Sequence, residues 1–161
     1  MIKEIFYIVF GFILVAVQSS NFINFLAIEN IKPDILTSYV VYISLTNTGS
    51  VSETVGFFVG FFEDVFSISL FGVNAFVKTL LSFILNRFRT KIFTEKYFSV
   101  FIVVFIATII NRLLFFFLII IFEHSVNFYN GMIKIGIPEA FYTAFVSIFL
   151  FPLYTYIFKK K

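Results

Sequence analysis

The chain has 161 residues, 60% hydrophobic and 13% charged, with a mean hydropathy of +1.02. Soluble domains carry roughly half apolar and about a quarter charged residues, so a water-soluble fold of this length has nowhere to hide so much hydrocarbon, and the bilayer is its natural solvent. The lack of cysteine excludes disulfides, thiolate metal sites and thiol catalysis, and the net charge of +3 takes its meaning from where the charges lie.

The first apolar run, Ile5 to about Ile28, follows Lys3-Glu4. A signal peptide is the rival reading, with Ile5–Val17 as its apolar core. No clear small-x-small cleavage site follows, and hydrophobicity resumes at Phe22, which favours an uncleaved span. The second run, Ile35–Leu45, opens on Pro33-Asp34, a proline for the first helical turn and an acid beside the positive helix end. It is short against the roughly 20 residues of a full crossing. Thr46-Asn-Thr-Gly-Ser50 is a turn cluster, and Ser50-x-x-Glu53 fits a capping box opening a third helix, Val51 to about Phe66. After a tight connection at 67–71, a fourth run begins at Gly72 and ends near Leu85. The basic block from Arg87 to Lys96 precedes the clearest span, Tyr97–Phe122. Residues 123–139 are mixed and read as a loop or surface-lying helix. A sixth run, Ala140–Phe158, closes on Lys159, Lys160 and Lys161.

These runs predict an all-α integral membrane protein, a compact bundle of about six transmembrane helices forming a single polytopic domain over residues 1–161. Basic residues retained on the cytoplasmic side set the orientation. Six crossings put Lys3, Arg87, Arg89, Lys91, Lys96 and the three terminal lysines inside, and Lys32 and Lys134 outside. Both termini are then cytoplasmic. If the second and third runs form one re-entrant hairpin, the parity is unchanged.

Glu63, Asp64, Lys78 and Arg112 fall in or near apolar runs, where charge is costly without a partner. A hairpin about residue 70 sets Lys78 at the depth of the two acids and predicts an Asp64–Lys78 or Glu63–Lys78 pair. The alternatives are acids hydrated at the outer boundary with Lys78 snorkelling, or an ion or substrate path. Arg112 lies about 22 Å along the fifth run and points inward, towards Glu63, a helix C-terminus or a water-filled cavity. Gly56, Gly60 and Asp64 recur every four residues and share one helical face. That face serves either tight packing within the chain or docking of another protein's helix. The single histidine, His124, lies in a loop and is assigned no role; no catalytic, cofactor-binding or metal-binding constellation is present. The terminal lysines are topology determinants that also attract anionic lipid heads, and nucleic acid is not an expected partner.

Pro33-Asp34, an apolar run, Gly56-x-x-x-Gly60-x-x-x-Asp64 and then Gly72 together resemble the bacterial rod shape-determining protein MreD family, over about residues 33–75. The resemblance implies a non-enzymatic component of the cell-elongation machinery that works with MreC, the actin-like MreB filament, RodA and a class B penicillin-binding protein. It also implies a six-helix fold like the substrate-binding subunits of energy-coupling-factor vitamin transporters, with Gly56, Gly60, Asp64 and Gly72 as packing or partner-contact residues. Two functions follow as expectations. The first is an assembly protein whose helix faces bind an MreC-like membrane protein or a second copy of the chain. The second is a vitamin-type transporter subunit with a pocket near Asn74, Asn111, Arg112 and residues 123–139.

Overall fold

The computed structural model describes residues 2–20, 27–28, 31–67, 70–91, 97–122 and 130–159. Among these are six α-helices: α1 (Ile2–Ser19), α2 (Ile35–Thr46), α3 (Gly49–Phe66), α4 (Val73–Phe88), α5 (Tyr97–Phe122) and α6 (Ile137–Lys159). A short 3-10 turn, Arg89–Lys91, extends α4, and a seven-residue π-helix, Asn130–Gly136, leads into α6. No named strand occurs among the described residues.

The shortest helix is the hub. Every side chain from Leu36 to Leu45 is buried, and α2 touches each of the other five helices. Those five form a ring in which α1 packs on α3, α3 on α4, α4 on α5 and α5 on α6. The ring closes between α1 and α6 through aromatic side chains: Phe6, Tyr7 and Phe10 meet Phe158 edge-on at 5.0–5.7 Å between centroids. Tyr39 and Tyr42 of α2 join the cluster from inside through Tyr154 and Phe158. Such offset ring pairs add about 0.5–1.5 kcal/mol each beyond area burial.

The helix α2 begins at buried Asp34 and ends at half-buried Asn47, and the unpaired backbone groups at its ends take partners from elsewhere. At the N-terminus Asp34 caps the helix, accepting from the Thr37 amide at 2.8 Å, while its own amide donates to Thr143 Oγ1 of α6 at 2.8 Å. At the C-terminus the Asn86 side-chain amide of α4 donates to the carbonyls of Ser44 (3.1 Å) and Asn47 (3.0 Å), and Arg89 also donates to Asn47. The neighbouring helices thus hold α2 at both ends.

Two helical stretches, Tyr97–Phe122 and Gly131–Phe158, are long and apolar enough to cross a membrane. Their outward residues include Phe98, Phe117, Phe122, Phe141, Phe145 and Phe149, all more than half exposed. A surface of that kind suits hydrocarbon and not water. By contrast α2 is about 18 Å long against a hydrocarbon thickness of about 30 Å. Gln18 reaches Pro33 and Tyr39 reaches Tyr7, so α2 runs back along α1. Thr37 and Ser44 of α2 meet Lys78 and Asn86 of α4 in the same order, and α3 runs against α4, with Gly60 near Asn74 and Gly56 near Ser82. Hence α1 and α3 run parallel, and α2 returns the chain between the two ends of the bundle.

Several boundaries differ from the sequence expectation. The first run stops as a helix at Ser19, not Ile28, because Ser20 folds back onto the Val17 carbonyl (2.7 Å) and competes with helix continuation. Ile28 and Ile31 are bridged by backbone bonds of 3.0 and 2.8 Å. Pro33 lies one residue before the N-cap, Asp34, and not in the first turn of the helix. The expected capping box does not form: Thr48 is the N-cap of α3 and Ser50 is inside the helix. The Asn86 clamp on Asn47 and the packing of Gly49 on the Asn86 side chain start the helix early. Of the two readings of 123–139, a loop or a surface-lying helix, the described part is helical, with Asn130–Gly136 and the first turn of α6, including Pro138 and Glu139, lying there. His124, Lys96, Lys160 and Lys161 fall outside the described residues.

Candidate functional site

The α3–α4 hairpin carries the motif. A Cβ on Gly60 would meet the Asn74 carbonyl oxygen at 2.3 Å and the Ala75 backbone at 2.6 Å; one on Gly56 would meet Ser82 Oγ at 2.5 Å and the Lys78 carbonyl at 2.8 Å. Only glycine lets the α4 backbone approach so closely. The glycine face is therefore filled by α4 of the same chain.

Asp64 ends that face and starts the next helix. Its carboxylate accepts from the backbone amides of Gly72 (3.0 Å), Asn74 (3.1 Å) and Ala75 (3.0 Å) and from the Asn74 side chain (3.0 Å). The N-cap position of α4 is Gly72, which has no side chain to cap with and stands at φ +94°. Asp64 supplies the cap from across the turn. A carboxylate at 3% exposure is thus held by the positive end of a helix and by converging N–H donors.

Glu63, one residue earlier, pairs with Lys78 Nζ at 3.0 Å, the second of the two pairings foreseen for Lys78. Lys78 is 1% exposed and also donates to Thr37 Oγ1 at 3.3 Å, while the Thr37 hydroxyl donates to Asp34 Oδ2 at 2.6 Å. Arg112 pairs with Glu139 of α6, a partner absent from the expected list of Glu63, a helix end or a cavity. The signal was in the sequence: Pro138-Glu139 repeats the Pro33-Asp34 pattern of a proline and an acid at a helix start. Ser147 Oγ to Ser38 Oγ (2.8 Å) and Thr143 to Asp34 extend the polar contacts between α2 and α6, again unforeseen.

Five helices thus bring one charge each into the bundle interior, close enough to act on one another electrostatically: Asp34 at the cap of α2, Glu63 from α3, Lys78 from α4, Arg112 from α5 and Glu139 from α6. Asp34, Lys78 and Glu139 are buried. Glu63 and Arg112 are partly open, at 26% and 28% of their side chains. The arrangement satisfies charges inside a protein whose outer face is apolar.

Fold and site together define an all-helical protein with helices fit to cross a membrane and five charged groups turned inward. The model of the rod shape-determining protein MreD family matches residues 2–161, and the chain belongs to that family. No curated protein matches the chain. No solved structure matches it either. Membership makes it a membrane protein of rod-shape determination, as the resemblance over residues 33–75 had implied.

Proposed function

We propose that this chain is a non-catalytic scaffold of the cell-elongation machinery in the bacterial inner membrane, docking an MreC-like membrane protein and through it influencing peptidoglycan synthesis. MreB, RodA and a class B penicillin-binding protein complete the assembly. The proposal includes a single polytopic domain, six crossings in the manner of energy-coupling-factor substrate-binding subunits, and both termini cytoplasmic. The direction of α2 supports it, since α2 returns the chain between the parallel helices α1 and α3 within a ring that shields its short length. The distribution of charge supports it too. Lys3, Arg87 and Arg89 lie at one end of the helices, and Lys32 and Lys134 at the other, which is the asymmetry that orients a chain.

The observation that carries the reading is the full-length family match, joined to a bundle whose glycine face and ion pairs are engaged internally. Partner recognition then falls to the outer apolar surface, because the Gly56/Gly60 face is filled. Membrane helices associate there through close packing and not through a hydrophobic driving force.

The absence of cysteine gives a clean test. Single cysteines at exposed positions such as Phe12, Phe57, Phe117 and Phe149 are paired with single cysteines along the membrane anchor of the MreC-like partner in native membranes. One contiguous face should form disulfides and the others should not. Uniform failure from all faces, with the chain inserted and abundant, would remove the partner from this surface.

A further inference from the structure

A groove opens on the bundle wall between the segment that precedes α2 and the outer face of α6. Ile28 and Ile31 form one side, and Phe101 of α5 with Phe141 and Phe145 of α6 the other, around a volume of about 600 Å³. That is the size of a site for one small ligand, about 300–1,000 Å³. Backbone bonds of 3.0 and 2.8 Å join Ile28 to Ile31. The Asp34 amide donates to Thr143 Oγ1, next in the chain to the groove residue Tyr142. The segment is thus pinned on α6, and Lys32, between Ile31 and Pro33, stands beside the groove. Lys32 lies outside every helix and is exposed, and no acid among the described residues pairs with it. Asp34, two residues on, is taken up by the Thr37 amide and hydroxyl, and Glu139, beside the groove residue Pro138, by Arg112.

We propose that the groove holds one acyl chain of an anionic phospholipid whose phosphate pairs with Lys32. The walls select the chain. In a bilayer an apolar hollow does not stay empty, because unfilled lining forfeits its dispersion contacts. A partner helix is about 10–12 Å across with its side chains and comes close only over small residues, whereas large rings, Phe141 and Phe145, stand more than half exposed along this groove. A polar small molecule would meet one polar side chain among the lining residues, that of Tyr142. A slender hydrocarbon chain meets neither obstacle. The lysine selects the head group. Its ammonium is a point charge on a flexible stem, able to follow a phosphate to the membrane surface while the stem lies against apolar neighbours.

The full chain, purified in dodecylmaltoside and stripped of lipid, is titrated with dioleoyl phosphatidylglycerol, phosphatidylethanolamine and phosphatidylcholine, and native mass spectrometry counts bound lipid. Phosphatidylglycerol should bind about fivefold more tightly than the other two, the effect of one lysine beside a membrane surface. Lys32→Gln should remove that preference. Lys134→Gln, whose exposed side chain is no part of the groove lining, should keep most of it. Ile31→Trp, which fills the groove from a half-buried position, should weaken all three lipids several-fold. Phosphatidylglycerol carrying a diazirine on one acyl chain should label α6 between Phe141 and Phe145 in the parent chain, a readout that needs no variant. Equal binding of the three lipids, equal losses from Lys32→Gln and Lys134→Gln, or label spread over all outward helix faces marks a general lipid coat and overturns the proposal. So does undiminished binding by Ile31→Trp.

Discussion

Asp64 shows how one side chain joins two helices. Its carboxylate meets four N–H groups of the following segment, so Asp64→Ala strands buried donors as well as deleting a cap. Lost caps cost about 0.5–2 kcal/mol and stranded buried donors about 1–3 kcal/mol each. The detergent-purified Asp64→Ala chain should therefore melt well below the parent, with Asp64→Asn in between; unchanged melting would show that the cap contributes nothing. The glycines make a graded prediction. Gly60→Ala drives a methyl into backbone at 2.3–2.6 Å, whereas Gly56→Ala first meets the Ser82 hydroxyl, a side chain able to turn away. Overpacking typically costs about 1–3 kcal/mol, so Gly60→Ala should lower Tm more than Gly56→Ala. The reverse order would contradict the α3–α4 packing.

At the scale of elements, the Lys78–Glu63 pair ties α4 to α3 and, through Thr37, to α2. Removing one member of a buried pair leaves a charge without compensation, at a cost of about 3–5 kcal/mol, while removing both is far milder. Lys78→Met should reduce the monodisperse fraction after detergent extraction, and adding Glu63→Gln should restore part of it. Strictly additive losses would mean that the pair does not couple the helices. Sequence reasoning reached this pair because a hairpin about residue 70 fixes relative depth by helical rise alone. It reached α5 at its observed bounds, Tyr97–Phe122, because a long apolar run broken chiefly at Asn111-Arg112 leaves little ambiguity. Asp64 as a cap was not legible, since a cap across a turn depends on how the turn folds and not on local spacing. The Arg112–Glu139 pair joins residues 27 apart, and nothing local in an apolar chain states such a register; the paired Pro-acid helix starts were the nearest hint. The Ser50 capping box failed for a related reason, because Asn86 of α4 fixes that junction from outside.

The molecule as a whole is a ring of five helices about a short sixth, largely apolar outside and with paired charges within. Its central helix should be sealed from water. A single cysteine at Val41, fully buried in α2, should resist a membrane-permeant maleimide in the folded chain and react after denaturation. A cysteine at exposed Phe71 should react readily, and equal reactivity at both positions would contradict the hub arrangement. The most direct measurement of the central claim is quantitative co-isolation of the tagged chain with an MreC-like protein from native membranes. The account predicts that the two leave the bilayer together, in fixed ratio, and stay associated in mild detergent. Recovery of the chain alone, from membranes that hold abundant MreC-like protein in rod-shaped cells, would contradict it.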